Sequence, residues 1–372
     1  MNLDLYDILF SMKAPGFWED TFEQSWQEVS RAGLDSLFSG IDRVVLVGCG
    51  TSNYAGIYGK ELFESFAGIP ASAVDGNSGR YTDVKMYTKS TLYIGISNTG
   101  NSGTAVESIQ TASKHGARTL CITGDKESRI AKASDVVLFF PGAVDKVATK
   151  TRSYVETLIM LFALALKAGH IKNCKDAPEL SFVKGEISKC GDAAAKLFVE
   201  YDAPMKQLAA EYRSKNGFHI VGCGMNLATA YEAALKLCEI GWISTEAMEL
   251  ESFMHGKFRG AGPDGPFFVL AQDDRSLRTA VSFVAVARKV DAECVTITDR
   301  MLAPIGDLSR SVVVIEPVWE LLKPMVFILP VYIFSMYLGL AHGKENPAAS
   351  QFGRPAQTFQ FDELHPEYKN IL

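Results

Sequence analysis

Val44-Val-Leu-Val-Gly48-Cys-Gly50-Thr-Ser52 is an aliphatic run that ends abruptly in glycines and hydroxyls. So short an apolar run, closed by turn residues, reads as a strand buried on both faces rather than as a helix. Val47-Gly-Cys-Gly50 recurs as Val221-Gly-Cys-Gly224, after Phe218-His-Ile. A strand, a glycine turn and a helix in the same order twice indicate a duplicated unit. Outward from these turns, similar runs lie at Leu92–Ser97, Thr119–Thr123 and Val136–Phe140 in the first half, and at Phe267–Ala271, Cys294–Thr298 and Val312–Glu316 in the second. Helical stretches separate them, which is the pattern of parallel sheets covered by helices. The expected fold class is α/β, with two tandem three-layer αβα units.

The 372 residues exceed what one hydrophobic core usually serves, which also points to two domains. A helical segment over residues 1–40 precedes a first unit over 41–171. A polar, helix-rich connector over 172–205 leads to a second unit over 206–343, and a tail runs over 344–372. With 47% hydrophobic and 22% charged residues the chain is read as globular, not disordered or coiled coil.

A net charge of −6 with no basic block makes nucleic acid an unexpected partner. The N-terminus, Met1 to Asp7, has neither the basic start nor the apolar run of a signal peptide. The 7 cysteines are scattered, without CxxC or zinc-type spacing, and suit reduced thiols in a cytoplasmic protein. Pro324 to Ala341 is uncharged and long enough to test as a membrane span. Pro330 interrupts it and no second such segment is read, so a helix buried between layers is expected and a membrane partner is not.

The two copies differ most in the loop after the second of the runs. In the first half it reads Ser97-Asn98-Thr99-Gly100-Asn101-Ser102-Gly103-Thr104, just before a helical stretch from Ala105 to His115. Hydroxyls, amides and glycines at a helix N-terminus offer unpaired N–H groups, a favourable dipole end and side-chain donors to an anion. Such a loop is a candidate phosphate cradle; its plainer reading is a polar turn with an N-cap. Gly50, Thr51 and Ser52 add to it from the end of the first strand, the side of a parallel sheet where ligands bind. The second copy has Ala271-Gln-Asp273-Asp274-Arg275 instead, and its carboxylates would repel the same ligand. One phosphate site is expected, with neither a dinucleotide nor an ATP motif.

Glu239 and His255 are the second half's candidate acid and base. A carboxylate and an imidazole that reach one pocket can move a proton between adjacent carbons and protonate a ring oxygen. Glu232, Lys236 and Glu239 also share one helical face, so Glu239 has the alternative reading of a surface salt bridge, and His255 that of a structural histidine. Glu64 stands near the equivalent place in the first copy, one residue out of phase.

From Asp42 to Gly343 the chain resembles the double SIS-domain phosphosugar isomerases, the family of the isomerase half of glucosamine-6-phosphate synthase. Cys49-Gly-Thr-Ser52 resembles its CGTS motif, Ser97-Asn-Thr-Gly-Asn-Ser102 its SQSGET loop, and Ala148-Thr-Lys-Thr-Arg-Ser-Tyr154 its ASTKAF segment. Leu235-Lys-Leu-Cys-Glu239 through His255-Gly256 aligns without a gap to LKLKE through KHG.

The resemblance implies that Thr51, Ser52, Ser97, Asn98, Thr99 and Ser102 hold a sugar phosphate, with Thr149 or Lys150 beside it. It implies that Glu239 shuttles the proton between C1 and C2, and that His255 opens the sugar ring in the neighbouring subunit of a homodimer. No cofactor and no metal are implied. No glutaminase domain is read in these residues, so glutamine-dependent amide transfer is not expected, and Gly353-Arg-Pro-Ala-Gln-Thr358 has no lysine where the synthase carries an imine-forming one. Three readings stand: a deglycase of fructosamine 6-phosphates that gives an aldose 6-phosphate and a free amine, an isomerase or isomerising deaminase of aminosugar phosphates, and a phosphosugar sensor without catalysis.

Overall fold

The computed structural model describes residues 3–79, 81, 88–140, 149–344 and 347. Three helices open the chain: α1 (Leu3–Ser11), α2 (Pro15–Arg31) and α3 (Leu34–Phe38). The first α/β unit runs β1 (Arg43–Gly48), α4 (Thr51–Ala67), β2 (Ala71–Asp75), α5 (Gly76–Gly79), β3 (Thr91–Ser97), α6 (Gly103–Lys114), β4 (Arg118–Thr123), α7 (Arg129–Ala133) and β5 (Val136–Phe139), and closes with α8 (Arg152–Ile171). After the long α9 (Leu180–Glu211) the second unit runs β6 (Gly217–Gly222), α10 (Asn226–Glu239), β7 (Ser244–Glu249), α11 (Leu250–Met254), β8 (Phe267–Ala271), α12 (Leu277–Lys289), β9 (Cys294–Thr298), α13 (Ala303–Leu308) and β10 (Ser311–Val314). It ends in α14 (Lys323–Phe327) and α15 (Leu329–Ala341).

Both sheets are parallel and five-stranded, ordered β2-β1-β3-β4-β5 and β7-β6-β8-β9-β10. The two orders are the same in chain terms, as a duplication requires. The fold is the one the sequence predicts: two parallel sheets flanked by helices.

Two strands escape the sequence reading, β2 and β7, and each is the edge next to its unit's first strand. Their residues, Ala71-Ser-Ala-Val-Asp75 and Ser244-Thr-Glu-Ala-Met-Glu249, are only partly buried, so neither needs the continuous apolar run that marks a central strand. Their presence makes the strand before the hydroxyl-rich loop the third of its unit rather than the second. The opposite edges are closed by helices. The Phe139 N–H donates to Glu28 Oε1 from α2 at 3.1 Å, and the Val314 N–H to the Tyr201 hydroxyl from α9 at 2.9 Å.

One apolar cluster fills the space between the inner faces of both sheets and includes α8, α9 and α15. Smaller separate clusters lie under α6 and under α12 on the outer faces. The expectation of a single span-like segment needs correction. Among the described residues two helices are long and apolar enough to cross a membrane, Arg152–Ile171 and Glu320–Ala341, and 83% and 89% of their apolar windows are buried inside the protein. Pro330 falls in the first turn of α15, where its missing N–H costs nothing. The connecting helix α9 carries on to Glu211, beyond the boundary read at 205. Of the tail from 344, only Lys344 and Pro347 lie within the described residues.

Candidate active site

Strand order in the first sheet reverses between β1 and β3, which pair directly with Val47 opposite Gly95. In an open parallel sheet the crevice for a ligand lies there, outside the carboxyl ends of the strands. The turns that leave these two strands carry the candidate phosphate-binding residues. Gly50 begins α4 with φ 54°, a conformation that disfavours a side chain, and places Thr51 and Ser52 in the first turn of the helix. From β3 the loop over Ser97, Asn98 and Thr99 reaches Ser102 at the start of α6. A Cys49 Sγ to Thr104 Oγ1 contact of 3.3 Å joins the two turns.

The β3–α6 loop is held by its backbone. The Gly100 N–H donates to Ser97 O at 3.1 Å, Gly124 N–H to Asn98 O at 2.8 Å, and Ile130 N–H to Gly100 O at 3.0 Å. Gly100 has φ 68°, and a Cβ there would sit 2.0 Å from Ser128 Oγ. The Ser102 hydroxyl makes no capping bond to the helix it begins and lies 3.3 Å from the Ser97 hydroxyl. Ser102 is therefore not used as a side-chain N-cap of α6. Asn98 Oδ1 and Thr149 Oγ1 are buried without a hydrogen-bond partner among the described residues. Buried polar atoms left unpaired cost free energy, and a polar ligand offsets that cost. Thr149 and the half-buried Lys150 stand just before α8.

In the second unit the equivalent loop is already satisfied by its own carboxylates. Asp274 Oδ1 accepts from the Ser276 N–H at 2.7 Å, and Asp299 Oδ1 from the Asp273 N–H at 2.7 Å. Lys323 pairs with the buried Asp299 at 2.7 Å, and Arg300 with Asp273 at 3.0 Å.

Glu239 is the last residue of α10, which packs against α4 with Tyr54 and Tyr231 stacked at 5.5 Å. The face it shares with Glu232 and Lys236 is not a surface face. The Glu232 and Lys236 side chains are 0% and 1% exposed, and Glu239 is 32% exposed. Lys236 Nζ lies 2.5 Å from Glu239 Oε2 and 3.4 Å from Glu232 Oε1, and donates to Thr51 Oγ1 at 3.0 Å. The Tyr332 hydroxyl donates to Glu232 Oε1 at 3.2 Å.

Burial pushes the Glu232 carboxyl up to about 7, with Lys236 opposing the rise. Burial pulls Lys236 down, but Glu232 and Glu239 outweigh it and hold the ammonium above its ordinary range. A charged lysine thus joins the turn after β1 of one unit to Glu239 of the other. The helical spacing showed these three charges but not their burial, which α4 and α15 impose; nothing in the apolar run around Tyr332 marked that residue. Glu64, by contrast, pairs with Lys60 at 2.8 Å and accepts from the Ala71 N–H at 3.2 Å, a structural use at the head of β2.

His255 follows α11 with its side chain 78% exposed, 3.9 Å from Glu251 Oε1. No contact among the described residues joins it to Glu239 or to the Ser97–Ser102 loop. The structure thus brings Thr51, Lys236 and Glu239 together, and Ser97 with Ser102, while His255 stands apart.

Comparison with known proteins fits this division. The SIS domain family matches residues 37–167 and 211–339. The glutamine–fructose-6-phosphate aminotransferase (isomerizing) of Clostridium tetani is 27% identical over 316 residues, which are 85% of this chain and 51% of that protein. The chain therefore spans about half the length of the curated relatives it matches. The C-terminal domain of glucosamine-fructose-6-phosphate aminotransferase from Francisella tularensis shares the fold with a TM-score of 0.80 at 20% identity, over 91% of this chain and 96% of that one. Glucosamine-6-phosphate deaminase from Thermotoga maritima gives 0.68 at 18% identity, over 92% and 98%. With each matched stretch holding one of the two parallel sheets, this chain belongs to the SIS domain family and carries the domain twice.

Proposed function

We propose that this chain is a phosphosugar enzyme that moves a proton between C1 and C2 of a sugar 6-phosphate, and that its substrate is a fructosamine 6-phosphate. The observation that carries the proposal is Lys236, buried and charged, with one hydrogen bond to Thr51 and an ion pair to Glu239. It couples the proposed phosphate site to the one partly exposed carboxylate of the α10 face. Thr51, Ser52 and the Ser97, Asn98, Thr99 and Ser102 loop hold the phosphate, and Thr149 and Lys150 flank it. Glu239 takes a proton from C1 of the ketosamine and returns it to C2, and the ketosamine becomes an aldimine. Water then cleaves the C=N bond, giving an aldose 6-phosphate and the free amine. A lysine-free Gly353–Thr358 suits a substrate that already carries its nitrogen at C1.

The second reading, a ketose/aldose isomerase or isomerising deaminase of aminosugar phosphates, uses the same proton transfer and is favoured by the isomerizing relatives. Incubation with fructoselysine 6-phosphate, fructose 6-phosphate and glucosamine 6-phosphate separates the cases. Release of lysine with an aldose phosphate supports the deglycase. Interconversion without lysine release supports the isomerase, and binding without turnover leaves a sensor.

A further inference from the structure

We propose that Glu246 on β7 is a positioning residue: by gripping Lys257 it sets the place of the turn that presents His255. The inference rests on the proposed function and on the reading, implied by the resemblance, that His255 opens the sugar ring of its substrate. Among the described residues His255 has no side-chain partner closer than Glu251, so its imidazole stands where the backbone of its turn puts it.

That backbone is pinned on both sides. Before it, Glu249 accepts from the Glu251 and Ser252 N–H groups at 3.1 and 2.7 Å, and the Phe253 ring packs on Phe267 and Phe283 at 5.2 and 6.0 Å. After it, Phe258 packs on Phe283 at 5.9 Å. Between these anchors, among the described residues, only Lys257 has a polar tie to the sheet, its ion pair with Glu246. The pair is partly exposed, 47% and 35%, and such pairs add little to folding stability. Its consequence is therefore local, on a residue two positions from His255.

His219 on β6 faces the same carboxylate, Nδ1 to Glu246 Oε2 at 3.7 Å, and is stacked on Phe267 at 5.0 Å. Burial, then Lys257, keep its pKa below the ordinary range. A neutral His219 leaves Glu246 to Lys257. Once protonated, it competes for the carboxylate and repels the lysine. The groups around His219 are Glu246 from β7, Lys257 from the turn after His255, the rings of Phe253 and Phe267, and Gly265 against Nε2. No other charged side chain contacts it among the described residues.

The experiment compares wild type, Glu246→Gln and the swapped pair Glu246→Lys with Lys257→Glu, with fructoselysine 6-phosphate as substrate and inorganic phosphate as inhibitor. Glu246→Gln is expected to lower kcat roughly tenfold to a hundredfold, in keeping with a small displacement of a reacting group, and to leave phosphate inhibition and thermal midpoint unchanged. The swapped pair restores most of kcat. A wild-type kcat in Glu246→Gln, or a swapped pair as slow as the single variant, overturns the proposal. If wild type turns over no substrate, the functional reading has failed by itself. The positioning role is then read from the imidazole resonances of His255, which Glu246→Gln shifts and broadens if the role is real and leaves unchanged if it is not.

Discussion

Lys236 and Glu232 contact each other deep between the two units, and their titrations bear on stability as well as on chemistry. Folding raises the Glu232 pKa from 4.5 to about 7. The folded chain therefore holds a proton that the unfolded chain releases between those values, and this contribution, complete below 4.5, is lost as pH rises toward 7. Glu232→Gln cannot lose it. The thermal midpoint of that variant, relative to wild type, is expected to improve from about pH 5 to about pH 8, and parallel curves would contradict the burial assigned to Glu232. Glu239→Gln keeps the shape of the site but removes the proton acceptor. It should lower kcat by about 10² to 10⁴ with substrate affinity nearly intact. A wild-type kcat would reduce Glu239 to a structural partner of Lys236.

The turns after β1 and β3 and the helices they start differ in legibility from the rest of the unit. Val47-Gly-Cys-Gly50 was readable because a strand buried on both faces must be apolar and must end in residues that permit the turn. β2 and β7 were not, since an edge strand with half-exposed residues carries no such pattern. The Glu232–Lys236–Glu239 face was readable as a helical spacing. Its burial was not, because it depends on Thr51 and Tyr332, 185 and 100 residues away from their partners in sequence.

The β3–α6 loop yields two predictions. Gly100→Ala must hold a side chain at φ 68° against Ser128, at a cost of roughly 2 kcal/mol, and should lower the urea midpoint and phosphate affinity together. If Gly100→Ala binds phosphate like wild type, loop geometry does not make the site. Ser97→Ala with Thr99→Ala removes donors without strain, so it should chiefly raise KM and weaken inhibition by inorganic phosphate. Inhibition at the wild-type level would move the phosphate elsewhere.

At the scale of the whole molecule the question is where His255 works. Its side chain is 78% exposed and out of contact with Glu239, on a turn pinned at both ends, a display suited to a neighbouring subunit. In a two-fold dimer with shared sites that arrangement would be reciprocal, each subunit lending its His255 to the other's Glu239. Inactive His255→Ala and inactive Glu239→Gln proteins, mixed until subunits exchange, then form hybrid dimers. In a hybrid, one site pairs the mutant glutamine with the mutant alanine, and the other pairs an intact Glu239 with an intact His255. Activity should return to about half the wild-type value per hybrid dimer, since one of its two symmetric sites is restored. The outcome differs if each subunit uses its own histidine, because every site in the hybrid then carries one lesion. Exchange demonstrated by mass, with no return of turnover, would assign His255 to the site of its own subunit.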